Sequence, residues 1–316
     1  MRIAIIANPA AGRGRPFKKL QGRVRTWRHP QWEVELLPTQ APGHAGALAR
    51  ELLSRPPDVL AVCGGDGSVN EVVSALPPQP PFPLAVLSGG TANVLARELG
   101  MPLHPVRALD VALEAAFAGK VRRMDVGVAD LGVPPDAPVD GGVGARVARK
   151  FTFVAGVGFD AWAVHEASLA LKSKVGIAAY ALAALRALRH YPFPEFTVVA
   201  DGGSHPAVTC LVCNSRRYGG GFSFCPGADM ADGLLDVLVI GGVGRAGGVD
   251  RAKLASFLLS AWVCPGRAPS WTRRLRTREL RIEGPSSVLV ETDGELAGAL
   301  PAKFSLLEKA LPLIAA

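Results

Sequence analysis

A buried strand that leads through a glycine turn into a helix is the feature that most constrains this chain. Residues 59–63 are all apolar, which predicts a strand covered on both faces, as in a parallel sheet. The glycines within residues 64–67 allow the backbone to turn sharply after it. Ser68 and Glu71 have the spacing of a capping box, which predicts that a helix begins at Ser68. A glycine turn that opens a helix presents free backbone N–H groups, and it therefore favours phosphate binding.

Asp66 is the acidic residue of this turn. A carboxylate repels a phosphate unless a cation or a hydroxyl donor lies between them. We therefore interpret Asp66 as serving Mg²⁺ or an attacking hydroxyl group. The alternative is an ordinary strand–helix turn in which Asp66 caps backbone N–H groups. The G-x-x-x-x-G-K-[ST] pattern is absent from the sequence, so the turn is not a P-loop.

Similar strand–turn–helix units precede and follow this one. Apolar residues 3–7 lead into the turn 8–14, and apolar residues 84–87 lead into the turn 88–93. Alternation of strands and helices predicts an α/β domain with a parallel sheet. In such a sheet all strand carboxyl ends lie on one edge, where these folds bind ligands. Several glycine turns at that edge indicate a polyphosphate ligand, most simply ATP.

The second half of the chain predicts a different architecture. Short strand-like runs are separated by turn signals, which favours an antiparallel sheet or sandwich. The predicted strands cover residues 151–158, 196–200, 207–213, 235–240, 279–283 and 288–291. A helical stretch, 163–190, interrupts them, and 132–144 is a Gly/Pro-rich loop. We place the boundary so that an α/β domain spans residues 1–122 and a mainly antiparallel β-sandwich domain spans 123–302.

Composition limits the partners and the compartment. Hydrophobic residues make up 49% and charged residues 20% of the chain, which is typical of a globular protein. A net charge of +8 favours an anionic partner, and an aromatic content of only 6% makes nucleic acid the weakest candidate. The odd number of cysteines, 5, and the start of the chain in a strand rather than a signal peptide predict a cytoplasmic protein. No apolar run reaches the roughly 20 residues of a transmembrane helix, so we expect any membrane contact to be peripheral.

The motifs of the first half resemble those of a known family. The sequence GGDGS at 64–68 is similar to the GGDG[TS] signature of the diacylglycerol kinase and sphingosine kinase family, which is distantly similar to NAD kinases and phosphofructokinases. The sequences NPAAG at 8–12 and GTAN at 90–93 resemble the family's NPxxG and GTxN motifs, although Val94 stands where the family often has Asp. The resemblance implies contacts with ATP from Asn8, Thr39, Gly64, Gly65, Asp66, Gly67, Ser68, Val69, Asn70, Gly90, Thr91 and Asn93.

An acidic turn in the second half extends this resemblance. The stretch from 219–221 (GGG) to 232–236 (DGLLD) is similar to the family's GGG…PxA…DGxLD signature. In bacterial members this loop holds a structural Mg²⁺. The resemblance implies the backbone carbonyls of Asp229 and Leu234 and the carboxylate of Asp232 as its ligands. The residues alone favour an acidic surface turn over a cation site.

A second acidic turn carries the other implied catalytic group. Residues 293–295 (DGE) match the family's DGE, whose glutamate accepts a proton from the lipid hydroxyl. The resemblance thus implies Glu295 as proton acceptor and Asp66 as the second catalytic residue. Asp-Gly is also a common hairpin turn, which is the structural alternative.

Arginines and tryptophans cluster late in the chain, at 262–281. A basic surface with tryptophans suits an anionic membrane interface. The alternative is a solvated strand edge kept soluble by its arginines. The cluster consists of Trp262, Arg267, Trp271, Arg273, Arg274, Arg276, Arg278 and Arg281.

Together these observations predict an ATP- and Mg²⁺-dependent lipid kinase that acts peripherally at the inner face of the cytoplasmic membrane. Diacylglycerol is the default acceptor, while a sphingoid base or another lipid alcohol stays open. The alternatives are a soluble-substrate kinase similar to NAD kinase and a non-catalytic nucleotide-binding regulator. The resemblance also implies that residues 303–316 return to the first domain. A homodimer is left open.

Overall fold

The computed structural model describes residues 1–133, 146–170, 187–218, 223–241, 251–263 and 269–316. The chain divides into two compact units. The N-terminal unit consists of Met1–Val126 and Leu307–Ala316, and the C-terminal unit of Gly127–Leu306.

The N-terminal unit alternates strands and helices. Its elements are β1 (Arg2–Ala7), α1 (Arg15–Arg25), β2 (Glu33–Pro38), α2 (His44–Glu51), β3 (Val59–Gly64), α3 (Asp66–Ala75), β4 (Leu84–Ser88), α4 (Val94–Glu98) and α5 (Pro105–Phe117). The strands lie in the order β4-β3-β1-β2, and each neighbouring pair is parallel. All residues of β3 and β4 are buried, as their continuous apolar sequence predicts. The carboxyl ends of β1, β3 and β4 therefore lie on one edge of the sheet.

The C-terminal unit is built mainly of antiparallel strands. Its elements, two of which extend into the N-terminal unit, are β5 (Val121–Gly132), β6 (Arg146–Phe151), β7 (Val154–Gly158), α6 (Phe159–Ala170), β8 (Phe196–Ala200), β9 (Gly203–Ala207), β10 (Thr209–Cys213), β11 (Leu235–Ile240), a helix over Arg251–Val263, β12 (Arg273–Thr277), β13 (Glu279–Glu283), β14 (Leu289–Thr292) and β15 (Glu295–Ile314). The strand order β12-β11-β10-β7-β14-β15 is antiparallel throughout. One apolar core joins these strands, with Phe151 and Phe304 packed edge to face inside it.

The structure differs from the predicted bounds of one strand and one helix. The single strand predicted over 151–158 is two strands, because Thr152 and Phe153 leave the ladder to bond the side chain of Asp293. The predicted helix 163–190 begins earlier, at Phe159, and residues 171–186 lie outside the described part. The predicted loop 132–144 also falls largely outside it.

The capping box predicted at Ser68 is wrong. Helix α3 begins at Asp66 and no side chain caps its first turn. The Glu71 carboxylate instead accepts the N–H of Ala45 at 3.2 Å, in the first turn of α2. A carboxylate at that end of a helix is stabilised by the helix dipole. Among the described residues, no helix has both the length and the apolar character that crossing a bilayer requires.

Candidate functional site

The turns after β3 and β4 touch through their glycines. A Cβ atom on Gly90 would lie 2.5 Å from the Cα of Gly65, and one on Gly89 would lie 3.0 Å from the Cα of Gly64. The turn after β1 joins them, because a Cβ on Gly12 would lie 2.6 Å from the carbonyl oxygen of Gly89. Any side chain at these positions would push the three turns apart. Glycine is therefore required here by close backbone approach.

Asp66 ties α3 to α4. Its Oδ1 accepts the backbone N–H of Val94 at 2.7 Å and that of Leu95 at 3.4 Å. Burial raises the pKa of Asp66, and these backbone donors oppose the shift. The structure thus has the capping arrangement that was the alternative interpretation of this residue.

Asn8 connects the turn after β1 with α3. Its Nδ2 donates to Ser68 Oγ at 3.2 Å, while its Oδ1 accepts the N–H of Ala10 at 2.9 Å. The amide can make both bonds because it carries a donor and an acceptor on one rigid group.

Asn93 closes the turn after β4 on itself. Its Oδ1 accepts the Gly90 N–H at 2.8 Å and its Nδ2 donates to the Gly90 carbonyl at 2.9 Å. Asn93 has φ +49°, a left-handed conformation that Asn tolerates better than most residues. Thr91, between them, is exposed.

The remaining predicted nucleotide contacts lie around these turns. Gly67 follows Asp66 in the first turn of α3 and is partly exposed. Val69 is buried on α3, so its side chain faces the core. Asn70 on the same helix accepts the Ser74 hydroxyl at 3.0 Å. Thr39 follows β2, and its N–H donates to the Ala7 carbonyl at 2.9 Å.

Glu295 begins β15 in a tight hairpin. Asp293 and Gly294 both have positive φ, +51° and +89°, which is the type I′ turn that joins strands most tightly. Thr292 and Glu295 are paired across it, and the Glu295 side chain is exposed.

The carboxylate of Asp293 fixes this hairpin to the start of β7. It accepts the N–H groups of Thr152, Phe153 and Val154 at 2.7, 3.0 and 3.1 Å, and the Thr152 hydroxyl at 2.9 Å. Burial raises the pKa of Asp293 to about 6, although these donors oppose the rise.

The acidic turn predicted to hold Mg²⁺ is already neutralised by an arginine. Asp232 Oδ1 accepts the Leu234 N–H at 2.9 Å, and its Oδ2 pairs with the Arg276 guanidinium. The Nε of Arg276 lies 3.4 Å from Asp236 Oδ2. Asp229 bonds the N–H of Ala231 at 3.0 Å.

Of the implied metal ligands, two are backbone carbonyls and one is the Asp232 carboxylate, whose oxygens are engaged by the Leu234 N–H and the Arg276 guanidinium. Within the described residues, no group of three or more His, Cys, Asp and Glu side chains is placed to hold one. The guanidinium of Arg276 contacts the carboxylates of both Asp232 and Asp236. The glycines 219–221 of the implied motif lie outside the described part.

The late arginine cluster contributes to this neutralisation. Arg273, Arg274 and Arg276 lie on β12, and Arg274 also donates to the Phe224 carbonyl at 3.2 Å. Trp271 packs edge to face against Phe257. Arg267 and the side chain of Trp262 lie outside the described part.

Two residues to which the sequence analysis gave no role, Glu291 and Tyr218, belong to a group of polar side chains in the C-terminal unit. Glu291 is fully buried on β14, and Tyr218 donates to Asp160. An acid directly after the apolar run 288–290 is the signal that could have identified Glu291. Nothing comparable marks Tyr218.

Models of two protein families match this chain. Residues 2–129 match the diacylglycerol kinase catalytic domain, and residues 153–315 match the YegS C-terminal NAD kinase beta sandwich-like domain. The chain belongs to the diacylglycerol kinase family. It is a lipid kinase, and the predicted α/β domain followed by a β-sandwich is confirmed.

Named relatives match most or nearly all of the chain. A diacylglycerol kinase of Mycobacterium tuberculosis is 28% identical over 99% of this chain and 94% of its own length. A YegS-like lipid kinase of Pseudomonas fluorescens is 30% identical over 71% of this chain and 68% of its own length.

Solved structures show the same fold. A diacylglycerol kinase from Bacillus anthracis has a TM-score of 0.70 at 22% identity, with 100% of this chain and 97% of that chain covered. An NAD kinase from Archaeoglobus fulgidus in complex with ATP has a TM-score of 0.50 at 13% identity, with 99% and 93% covered.

Proposed function

We propose that this lipid kinase transfers the γ-phosphoryl group of ATP to the hydroxyl group of diacylglycerol, which gives phosphatidic acid and ADP. The observation that carries the proposal is the contact of three glycine turns at the carboxyl edge of one parallel sheet. The names of the relatives support diacylglycerol as acceptor, and the ATP complex of the similar NAD kinase structure supports ATP as donor.

The donor phosphates would bind to backbone N–H groups of these turns. Helix α3 begins without a side-chain cap, so its first N–H groups are available to an anion. The lack of side chains at Gly65 and Gly90 brings the backbones of the two turns together at this edge of the sheet. Asn8, Ser68 and Asn93 stabilise the turns through the bonds described above. ATP would enter as its Mg²⁺ complex, with Asp66 the carboxylate available to that ion, which neutralises charge on the phosphates.

Glu295 would accept the proton of the lipid hydroxyl. The hydroxyl oxygen forms a bond to the γ-phosphorus, the bond from that phosphorus to the β–γ bridging oxygen breaks, and the proton passes to the Glu295 carboxylate. An exposed carboxylate at the start of a strand suits this role, because a substrate hydroxyl group can reach it. No step of the proposal uses a metal ion at the acidic turn.

The acceptor is tested with labelled ATP and a total lipid extract, followed by identification of the labelled product. Phosphatidic acid as the main product supports the proposal. A labelled sphingoid base phosphate or another labelled lipid phosphate would show that a lipid alcohol other than diacylglycerol is the acceptor. Phosphorylation of added NAD, without any labelled lipid, would show that the acceptor is a soluble molecule rather than a lipid. Binding of ATP without any turnover would favour a non-catalytic regulator and overturn the proposal.

The reaction would take place at a membrane surface, because diacylglycerol resides in the bilayer. The net charge of +8 supports attraction to anionic lipid. We expect cosedimentation with vesicles that contain phosphatidylglycerol, weakened at high salt, and little with phosphatidylcholine alone. Equal binding to both kinds of vesicle would contradict an electrostatic attachment.

A further inference from the structure

Two carboxyl groups face each other inside the C-terminal unit. Glu291 on β14 lies opposite Gly156 of β7 in the antiparallel ladder, and Asp160 lies in the first turn of α6, directly after β7. A Cβ atom on residue 156 would lie 2.0 Å from Asp160 Oδ2 and 2.7 Å from Glu291 Oε1. Both oxygens therefore converge over the Gly156 Cα, in a space that exists only because residue 156 has no side chain.

Each carboxyl group has one satisfied oxygen and one that lacks a donor. The Tyr218 hydroxyl donates to Asp160 Oδ1 at 2.7 Å, and the Gly294 N–H donates to Glu291 Oε2 at 2.6 Å. Among the described residues, no donor hydrogen-bonds to the buried Asp160 Oδ2 or Glu291 Oε1. Two ionised groups would repel each other and leave both oxygens unsatisfied. One proton between them removes both costs.

The electrostatic surroundings indicate which group carries this proton. Burial, reinforced by the nearby Asp160, raises the pKa of Glu291 well above its usual value. Burial also raises the pKa of Asp160, but the hydrogen bond from Tyr218 opposes that rise. Asp293 is the remaining acidic neighbour, and it is satisfied by its own backbone donors. Glu291 is therefore the neutral acid and Asp160 the carboxylate.

We propose that Glu291 and Asp160 share a proton, and that this pair positions the hairpin that carries Glu295. Glu291 Oε2 holds the N–H of Gly294, the residue directly before Glu295. Asp160 in turn fixes the Glu291 side chain, and Tyr218 fixes Asp160. The positioning role rests on the proposed function of Glu295, whereas the shared proton does not. Glu291, Asp160 and Tyr218 act through the backbone of the hairpin, so they are positioning residues.

The conservative variant Glu291→Gln tests the state of the shared proton. A carboxamide can donate to Asp160 and accept from Gly294, as the neutral acid does. We expect its kcat to stay within about threefold of wild type, whereas Glu295→Gln loses about 10²-fold or more. A loss in Glu291→Gln as large as that in Glu295→Gln would show that Glu291 must be ionised, and would overturn the proposal.

The apolar variant Glu291→Leu tests positioning. It removes both hydrogen bonds, so we expect kcat to fall by about tenfold or more while the KM for ATP changes less than about threefold. Wild-type kcat in a folded Glu291→Leu protein would overturn the positioning role. If Glu291→Leu does not fold, Tyr218→Phe replaces it. We expect a smaller fall in kcat for this variant. An unchanged kcat in Tyr218→Phe would overturn the positioning role.

Thermal stability against pH provides a readout that is independent of catalysis. A folded-state pKa raised above the unfolded value gives stability that is complete below the unfolded pKa and is lost as pH rises through the folded value. We therefore expect the Tm of wild type to fall relative to that of Glu291→Gln as the pH rises above the ordinary pKa of a glutamic acid. Parallel curves of Tm against pH for wild type and Glu291→Gln would overturn the proposal that the two carboxyl groups share a proton. An active Glu295→Gln with diverging curves would overturn only the proposed function.

Discussion

Asp66 Oδ1 accepts the backbone N–H of Val94 at 2.7 Å, so the acidic residue of the glycine turn after β3 caps the short helix that follows β4. This bond joins two neighbouring turns at the edge of the sheet. The same carboxylate is the group that we propose for the Mg²⁺ bound to ATP. Capping and catalysis require different properties of Asp66, because a cap needs only an oxygen acceptor whereas a cation partner needs a negative charge.

The first prediction separates these two properties at Asp66. Asp66→Asn keeps an acceptor for Val94, so we expect its Tm to stay close to that of wild type, while turnover falls about 100-fold or more through loss of the charge. Asp66→Ala should lose about 1–2 kcal/mol of unfolding free energy as well, the usual cost of a lost cap. Denaturant unfolding and initial rates measure the two effects. An active Asp66→Asn would restrict Asp66 to capping.

The second prediction concerns the exposed acid of the hairpin. Glu295→Gln should lower kcat by about 10²–10⁴-fold, the usual contribution of a general base, and leave the affinity for ATP nearly unchanged. Calorimetric titration with ATP and product assays measure both. Glu283→Gln, at an exposed acid on β13, is the matched control and should behave as wild type. A collapse of ATP binding in Glu295→Gln would contradict the assigned role.

The third prediction tests the glycine contact between the turns after β3 and β4. Gly90→Ala places a Cβ 2.5 Å from the Gly65 Cα, and because that Cβ is fixed directly to the backbone and the Cα belongs to it, neither atom can move aside cheaply. We expect a loss of about 1–3 kcal/mol of unfolding free energy, together with weaker ATP binding. Gly22→Ala is the control, since no atom lies within 4 Å of a Cβ there and the site is inside α1. That variant should gain up to about 1 kcal/mol. Normal stability of Gly90→Ala would show that the turns can separate.

The fourth prediction concerns metal removal at the acidic turn. Because Arg276 already neutralises Asp232 and Asp236, the Tm of wild type without ATP should be the same in EDTA and in Mg²⁺. Arg276→Met leaves the two carboxylates to repel each other, so its Tm should be lower and should rise with added Mg²⁺. Arg273→Met, on the same strand, controls for the loss of one positive charge. A wild-type Tm that drops in EDTA would restore the metal site implied by the family resemblance.

Local sequence patterns predicted the framework of the N-terminal unit closely. The apolar runs 3–7, 59–63 and 84–87 are strands within one residue of the predicted bounds at either end, because continuous burial leaves an unmistakable hydrophobic pattern. Strand β12 was not among the predicted strands, although a solvated strand edge was the alternative interpretation of the arginine cluster that contains it. Its sequence, RRLRT, is mostly charged because most of its residues are exposed, so periodicity gives no signal.

The partners of the acidic residues were much harder to predict. Glu71 was expected to cap its own helix, but its carboxylate bonds Ala45 of a neighbouring helix. Asp232, which the family resemblance implies as a metal ligand, pairs with Arg276, a residue far along the chain that no local pattern indicates. Each of these carboxylates could accept a hydrogen bond from several donors that are chemically equivalent. Only the packing of distant segments selects one of them.

The sequence by itself determined the order of strands and helices, the glycine turns and the family, because these depend on residues that are neighbours along the chain. The tertiary structure alone decided what each carboxyl group does. Asp66 reaches Val94, and Glu291 meets Asp160 over Gly156, only after the strands have paired. Such contacts join residues that are distant in sequence, and their energies depend on a burial that does not exist until the chain has folded.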